Sequence, residues 1–334
     1  MVDLSAMAAP ESERFADARV LVMFPGALGD LICLIPTLRA LLRRHRGAAL
    51  ELMAREELAR FAVDRIGLEQ SRTERGPSIA RSHSIDRREV AALFAEGPGL
   101  ADAARFFHPF TRIYSFFASD DARFRRGLEA AASPGAVSFH AFRPASDGHV
   151  AAAYLDEIGE AVSTPAAGAG AGLDVLPADI GEAERALARL GLENKRVAVL
   201  FPGSGAASKN WPAENFAVLS DLLPPRLQPL VVVGPAELSI EPLFIARGAV
   251  RLGHQPLSTV AGLARMAAGF VGNDSGVSHL AAAVGAPGVV IFGPTNPERW
   301  RPLGRVRVLR ASKLADLTPA EVAATLLRSI ARVE

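Results

Sequence analysis

The residues best suited to chemistry lie in a loop between an apolar strand and a helix of small residues. Segment 270–283 reads FVGNDSGVSHLAAA, and its helix begins near Ser275. The first amides of a helix lack intrahelical partners and lie at the positive end of its dipole. Ser275 and Gly276 leave room there for an anion, which predicts a phosphate or diphosphate site. The alternative is that Asp274 or Ser275 is only an N-cap. His279, one turn later, either points at the same anion or packs in the core.

A second loop also connects a strand to a helix, and it carries a cation. Segment 201–212 reads FPGSGAASKNWP, in which Ser204 and Gly205 are small and Lys209 is a mobile cation suited to phosphate. These three residues are candidate nucleotide ligands, although the spacing differs from the GxxxxGK[ST] phosphate loop. The alternative is a solvated lysine. Only three of the 37 basic residues are lysines, which favours a specific role.

Two carboxylates complete the candidate set. Segment 25–30 (PGALGD) follows the first apolar strand and places Asp30 at the beginning of a helix. An aspartate caps a helix well there, and capping is compatible with catalysis. Because GxGxxG is absent, NAD binding is poorly supported. Glu237 follows another strand, from which an acidic residue can accept hydrogen bonds from ribose hydroxyls, and Glu241 is a competing choice.

Alternating strands and helices must position these loops. Residues 19–24 and 49–54 are apolar runs of strand length around a helix at 31–46, which predicts a βαβ unit. The second half repeats the alternation, with strands predicted at 196–201, 229–233, 270–272 and 289–292 and helices at 213–223, 257–268 and 276–284. Ligands bind such sheets at the carboxyl ends of the strands, where all the candidate loops lie.

An Ala/Gly/Pro segment at 163–172 (STPAAGAGAG) is typical of a linker. We therefore predict an α/β protein with domains at 1–172 and 173–334, two Rossmann-like, doubly wound sheets facing a cleft. This boundary is approximate if the amphipathic terminal helix at 319–333 packs back on the N-terminal domain. The Arg-rich and Phe-rich stretch 69–144 shows no clear pattern.

Composition excludes several classes of protein. The 334 residues are 49% hydrophobic and 22% charged, as in a soluble globular chain, and the net charge of +1 argues against a nucleic-acid partner. Cys33 is the only cysteine, which excludes disulfides and Cys-based zinc sites, and no motif requires a metal. Neither a signal peptide nor an apolar run of ~18–20 residues is present. We expect a cytoplasmic protein, and peripheral contact with the cytoplasmic face of the inner membrane stays open.

Four segments together resemble glycosyltransferase family 9, the ADP-heptose:lipopolysaccharide heptosyltransferase family. They occur in the family's order and spacing over nearly the whole chain, from about Val20 to Gly304. No single motif is specific, but four in order are strong evidence. The segments are GALGDLICLIPTLRAL (26–41), FPGS with KNWP (201–204 and 209–212), GNDSGVSHLAAA (272–283), and IFGPT with WRPLG (291–295 and 300–304).

The resemblance implies a GT-B fold, with the acceptor on the N-terminal domain and the nucleotide sugar on the C-terminal one. It also implies inversion at the anomeric carbon without a metal or other cofactor. Asp30 matches the family's general base, which deprotonates the acceptor hydroxyl. Lys209 and the turn 274–276 match the residues that hold the diphosphate, with His279 near that group. Glu237 matches the residue that holds the ribose.

We therefore expect a metal-independent inverting glycosyltransferase that moves a sugar, heptose from ADP-heptose in the family, to a lipopolysaccharide-core or other glycan or glycolipid acceptor. The family commonly has Lys or Arg where this chain has Phe24 and Pro25, and stretch 69–144 matches no heptosyltransferase acceptor pattern. These departures lie on the acceptor side. The alternatives are a nucleotide-sugar-binding protein without catalysis, a GT-B transferase with another donor sugar, and a GT-B-like epimerase. Oligomeric state is not predicted.

Overall fold

The computed structural model describes residues 18–69, 75–95, 97–160, 171–234 and 237–332, and the chain divides into two compact units. The first unit takes the chain up to Gly26 together with Leu38–Arg143, and the second takes Ala27–Thr37 together with the chain from Pro144. The division therefore differs from the predicted boundary at 172. Of the predicted linker at 163–172, the residues up to 170 lie outside the described ones.

The first unit contains a parallel sheet of five strands. Its sheet order is β5-β2-β1-β6-β7, and β3 and β4 form a separate antiparallel pair. The strands are β1 (Arg19–Met23), β2 (Ala49–Ala54), β3 (Gly67–Glu69), β4 (Arg75–Ser78), β5 (Arg81–Ser84), β6 (Arg112–Ser115) and β7 (Val137–Phe139). The helices are α1 (Leu28–Arg44), which both units share, α2 (Glu56–Ala62), α3 (Arg88–Ala92), α4 (Gly99–Phe107) and α5 (Ala122–Ala131).

The stretch without a clear sequence pattern supplies much of the core of this unit. Phe107, Phe110 and Phe124 are fully buried there against strand residues such as Leu21 and Ile113. Burying aromatic side chains of this size removes a large apolar area from water, which stabilises the folded state. Much of the Phe-rich character of this stretch is therefore explained by the core, although Phe94 is exposed.

A buried carboxylate, Glu51 of β2, lies among basic side chains in the first unit. Its oxygens accept hydrogen bonds from Arg19 at 2.8 and 3.0 Å and lie 2.6 Å from Nε2 of His83, and Arg81 lies 3.6 Å away. Burial alone would raise the pKa of Glu51. The hydrogen bonds with His83 and Arg19 outweigh it and lower this pKa to about 2. Glu51 is therefore a buried anion with its charge compensated.

The second unit contains a parallel sheet of six strands in the order β10-β9-β8-β11-β12-β13. The strands are β8 (Val197–Phe201), β9 (Gln228–Val232), β10 (Val250–Leu252), β11 (Gly269–Asn273), β12 (Gly288–Phe292) and β13 (Val306–Arg310). The helices are α6 (Val150–Glu157), α7 (Pro177–Arg189), α8 (Ala213–Leu222), α9 (Glu241–Ala246), α10 (Leu257–Met266), α11 (Gly276–Ala283), α12 (Pro297–Trp300) and α13 (Pro319–Ala331).

The strand order of the second sheet brings the two predicted phosphate loops together. Strands β9 and β10 follow β8 on one side of it, and the next strand in the chain, β11, lies on the other side of β8. The loops after β8 and β11 therefore leave the sheet side by side, at the switch point where doubly wound sheets bind ligands.

Most of the predicted elements are present, and the structure adds several others. Helix α1 begins at Leu28, three residues earlier than predicted, which places Asp30 inside its first turn. Helix α7 was not predicted. The terminal helix α13 packs on α8 and on β11, β12 and β13 of the second sheet, because its buried face, including Val322 and Leu326, belongs to the apolar core of that unit. No helix in the described part of the chain is long and apolar enough to cross a membrane.

Candidate functional site

The loops after β8 and β11 are joined by an ion pair. Nζ of Lys209 donates a hydrogen bond to Oδ2 of Asp274 at 2.7 Å. The Asp274 side chain is 6% exposed and that of Lys209 is 33% exposed, so the carboxylate is buried and the ammonium reaches the surface. An ammonium has three donors, which allows Lys209 to bind an anion while it keeps Asp274. The structure therefore brings together two residues that the sequence placed in separate loops.

Asn273, a residue that the sequence analysis did not select, fixes this arrangement. Its fully buried side chain accepts a hydrogen bond from the amide of Trp211 at 2.9 Å and donates one to the carbonyl of Pro202 at 2.8 Å. Trp211 is also fully buried, and its indole donates to the carbonyl of Leu317 at 3.0 Å. Asn273 thus holds both ends of the Lys209 loop. Its signal in the sequence is a polar residue that directly follows an apolar strand.

The beginning of α11 keeps its first amides available. Ser275 occupies the N-cap position, but its side chain forms no capping hydrogen bond in the described part of the chain. Its hydroxyl lies 3.2 Å from that of Ser278, which donates to the carbonyl of Asn273 at 2.7 Å. The Ser275 side chain is therefore held away from the helix amides. This geometry suits an anion at the first turn of α11, beside the Lys209 ammonium.

Ser204 and Gly205 form the turn after β8. The Ser204 hydroxyl donates to the carbonyl of Ala206 at 2.8 Å, so it stabilises its own turn. Apart from its own chain neighbours, no heavy atom of the described residues lies within 4 Å of the position that a Gly205 Cβ would take, and the residue is exposed. This open space at Gly205 lets a ligand approach the backbone.

The two candidate ribose ligands have different surroundings. Glu237 accepts a hydrogen bond from the amide of Gly234 at 2.8 Å, and a Cβ on Gly203 would overlap with its carboxylate. Glu237 therefore lies against the loop that begins after β8. Glu241, in contrast, accepts a hydrogen bond from Nε of Arg251 at 2.7 Å and is committed to that ion pair. The geometry favours Glu237 of the two.

Asp30 belongs to the same compact unit, because the first residues of α1 pack on the beginning of α11. Oδ2 of Asp30 accepts a hydrogen bond from the amide of Ala27 at 2.9 Å, so the carboxylate also caps the helix from its first turn. A Cβ on Gly276 would lie 2.9 Å from Cβ of Leu28 and 3.2 Å from the amide nitrogen of Gly29. Only glycine at 276 allows the two helix starts to approach this closely.

Two buried groups lie between these helices. His279 is 3% exposed, and its Nδ1 lies 3.7 Å from Sγ of Cys33. Burial lowers the pKa of His279 to about 4, although the negative charge of Asp274 acts to raise it. Burial also raises the pKa of the Cys33 thiol, and the negative charges of Asp30 and Asp274 raise it further. The imidazole is therefore neutral near pH 7, and both carboxylates act on the same buried thiol.

All the predicted site residues except Glu237 are thus placed around one cluster formed by α1, α11 and the Lys209 loop, and Glu237 lies at the neighbouring loop. Among the described residues, no group of three His, Cys, Asp or Glu side chains is arranged to hold a metal ion.

Comparisons with known proteins identify the class of this fold. Residues 173–317 match the family described as glycosyltransferase family 9 (heptosyltransferase). No curated protein matches. A glycosyltransferase of family 9 from Veillonella parvula DSM 2008 is 17% identical, with 95% of this chain and 98% of that chain covered and a TM-score of 0.74.

Two solved structures from E. coli are also similar. ADP-heptose lps heptosyltransferase II is 18% identical, with 94% of this chain and 99% of that chain covered and a TM-score of 0.73. Heptosyltransferase WaaC, solved with ADP, is 19% identical, with 92% and 98% covered and a TM-score of 0.64. These likenesses show the GT-B fold. The predicted fold class and the predicted family resemblance are therefore confirmed.

Proposed function

We propose that this chain is a metal-independent inverting glycosyltransferase that moves heptose from ADP-heptose to a hydroxyl of a lipopolysaccharide-core or other glycan acceptor. The match of residues 173–317 to the model of glycosyltransferase family 9 supports this proposal. The observation that carries the proposal is the contact between the starts of α1 and α11, which puts Asp30 and the Lys209–Asp274 pair in one cluster. Two similar structures support the donor: one is named for ADP-heptose and the other was solved with ADP.

Asp30 is the proposed general base. In an inverting displacement, the acceptor oxygen attacks the anomeric carbon while the bond from that carbon to the phosphate oxygen breaks. The acceptor proton passes to the Asp30 carboxylate, and ADP leaves with the electron pair of the broken bond. A carboxylate is a weak base, so it takes the proton late, when the attacking hydroxyl has become acidic.

The leaving diphosphate gains negative charge as the bond breaks, and positive groups must stabilise it. Lys209 and the first amides of α11 are suited to this task without a metal. Asp274 is an anion and cannot neutralise phosphate, so its proposed role is to orient the Lys209 ammonium by their 2.7 Å hydrogen bond. Glu237 is proposed to accept hydrogen bonds from the ribose.

A thermal-shift panel with ADP, UDP and GDP, each with and without EDTA, tests the donor and the metal. A ligand that binds only the native state must raise the melting temperature. We expect ADP to stabilise the wild type regardless of EDTA, and Lys209→Met to lose most of this effect. Lys195→Met is the matched control, because Lys195 is an exposed lysine outside the site.

The other outcomes separate the alternatives. Preferential stabilisation by UDP or GDP would keep the transferase and change the donor. Loss of the ADP effect in EDTA would contradict metal independence. For the reaction itself, wild-type protein should release ADP from ADP-heptose only when glycan acceptor is added, with inverted product by NMR. Binding without transfer to any core-glycan extract would indicate a nucleotide-sugar-binding protein, and a changed sugar without acceptor would indicate an epimerase.

A further inference from the structure

The segment 299–301 is held by two buried histidines. It follows β12 and includes the end of the short helix α12. His279 of the candidate site forms a hydrogen bond with the backbone of Trp300. The carbonyl of the next residue, Arg301, accepts a hydrogen bond from Nε2 of His149 at 2.8 Å. Consecutive peptide groups are therefore bound by imidazoles that lie 130 residues apart in the sequence, at positions 149 and 279.

Both ring nitrogens of His149 are used. Its Nδ1 accepts a hydrogen bond from the amide of Ala151 at 3.2 Å, which caps the beginning of α6, and its Nε2 donates to Arg301. These two partners assign the proton to Nε2 of a neutral ring. The residue is 8% exposed, and burial lowers its pKa, which maintains the neutral form. His149 therefore connects α6 to the segment 299–301.

Arg299 adds a second connection to the same part of the chain. Its guanidinium donates to the carbonyl of Pro144 at 2.7 Å and to the carbonyl of Ser146. Three side-chain hydrogen bonds thus join residues 144–149 to the segment 299–301. The backbone amides of Arg299, Trp300 and Arg301 bond only to residues 296 and 297 of the same helical turn, so the three side-chain bonds are what tie this turn to residues 144–149.

We propose that His149 is a positioning residue for the donor site: by holding Arg301 it fixes the backbone of Trp300, and thereby the imidazole of His279 behind the Lys209–Asp274 pair. His279 has little freedom to adapt, because it is 3% exposed and packs on Cys33 and Gly29. A shift of Trp300 removes a partner from a buried polar ring, which is costly. The inference rests on the proposed function, since it assumes that this cluster binds the donor.

Two conservative variants separate positioning from helix capping. In His149→Asn, the side-chain oxygen replaces Nδ1 and preserves the cap of α6, but nothing reaches Arg301. In His149→Gln, the longer side chain places an amide donor near the position of Nε2 and loses the cap. Positioning predicts at least tenfold weaker ADP binding for His149→Asn and less than threefold for His149→Gln, by calorimetry. We also expect kcat to fall more in His149→Asn than in His149→Gln. The melting temperatures of both variants show whether each protein is still folded.

The reverse order, or equal effects in the two variants, would overturn the inference and leave His149 as a helix cap. Hydrogen exchange of peptides covering residues 299–301 and 275–280 gives a readout that needs no nucleotide. We expect faster exchange there in His149→Asn than in His149→Gln, and unchanged exchange in both would also overturn it. If wild-type protein fails to bind ADP while exchange follows the expected order, the proposed function fails and the positioning role stands.

Discussion

Each of the two units buries a carboxylate beside a cation, and the two sites differ in how completely the charge is enclosed. Glu51 is in the interior of a strand, and its side chain has no exposed area. It is surrounded by Arg19, His83 and Arg81. Asp274 follows the last residue of a strand and has Lys209 as its ion-pair partner, whose side chain is one-third exposed. Glu51 is therefore enclosed by basic side chains, whereas Asp274 pairs with a lysine whose ammonium still reaches solvent.

The difference shows what position along a parallel strand does to a charge. In the interior, a carboxylate must be compensated by several partners, since a buried ion without them is costly. At the carboxyl end, helix amides and an open loop lie beside it, so the same kind of pair keeps capacity for a ligand. We interpret the Glu51 cluster as structural and the Asp274 cluster as functional.

The largest expected effect is on catalysis, from Asp30→Asn. The variant keeps the shape of the side chain and an oxygen for the amide of Ala27, but loses the carboxylate that we propose as the base. We expect the transfer rate to fall by about 10³-fold while the ADP dissociation constant stays within about threefold. Initial rates with ADP-heptose and calorimetry with ADP measure the two quantities. If Asp30→Asn kept the wild-type transfer rate, Asp30 would not be the base, and the Asp274 cluster would lose its functional distinction from the Glu51 cluster.

Glu51→Gln should destabilise the first unit without weakening the donor site. It leaves Arg19 and its neighbours without their buried counter-charge, which costs about 3–5 kcal/mol of unfolding free energy. Urea unfolding measures this cost, and ADP calorimetry on the folded fraction should give the wild-type affinity. Glu57→Gln, at an exposed position, is the matched control with an expected change within about 0.5 kcal/mol. A Glu51→Gln protein as stable as the wild type would contradict the structural interpretation.

The two clusters should lose stability in different pH ranges. The pKa of His279 is lowered to about 4 in the folded state from its ordinary 6.5, so between these values the unfolded chain binds the proton first. The neutral imidazole therefore contributes on the order of 3 kcal/mol to the free energy of unfolding. This contribution is complete above pH 6.5 and is lost as the pH falls to about 4. The pKa of Glu51 is lowered to about 2 from 4.5, so its contribution is lost only between these lower values.

Urea unfolding at a series of pH values checks this separation. His279→Gln should flatten the slope between pH 6.5 and 4 and leave the lower range unchanged, and Glu51→Gln should do the opposite. A slope above pH 4 that is the same in wild type and His279→Gln would show that the imidazole is not the group that titrates.

The smallest effect is expected at the ribose. Glu237→Gln should weaken ADP binding about tenfold, since a neutral amide with a single acceptor oxygen replaces a charged carboxylate with two. Glu241→Gln, which breaks only the ion pair with Arg251, should change it less than twofold. Calorimetry with ADP compares the two, and equal effects would contradict the assignment of Glu237.

The sequence predicted the parts of the fold that depend on local pattern. Strand β2 lies at 49–54 as predicted, and strands β8, β9, β11 and β12 agree with their predicted ranges within one residue, because apolar runs end there at polar, Gly or Pro residues. Strands β10 and β13 of the same sheet were not predicted. Strand β5, Arg81–Ser84, reads RSHS and was not predicted. Its strand form comes from pairing with β2 at the sheet edge, which no local pattern records.

The same limit applies to the site. The loops that carry Lys209 and Asp274 were predicted, since each is a polar turn between a strand and a helix. Their ion pair was not, because it joins residues 65 positions apart. His149 is still further from its partner Arg301, by 152 positions. Neither pairing has a local sequence signal, so both were found only in the folded chain.

The division of helix α1 has a consequence for recombining this protein with relatives. Ala27–Thr37 groups with the second unit, while the rest of the helix groups with the first, and Pro36 lies one residue before the change. A chimera that joins a foreign N-terminal half at residue 144 would exchange Asp30 and Gly29 together with the first unit, and so replace the surface that covers Gly276 and His279. A graft that takes new sequence up to Gly26 and again from Leu38 retains the native contacts of that surface. The natural crossover for exchanging the first unit is therefore two cuts around the eleven residues Ala27–Thr37.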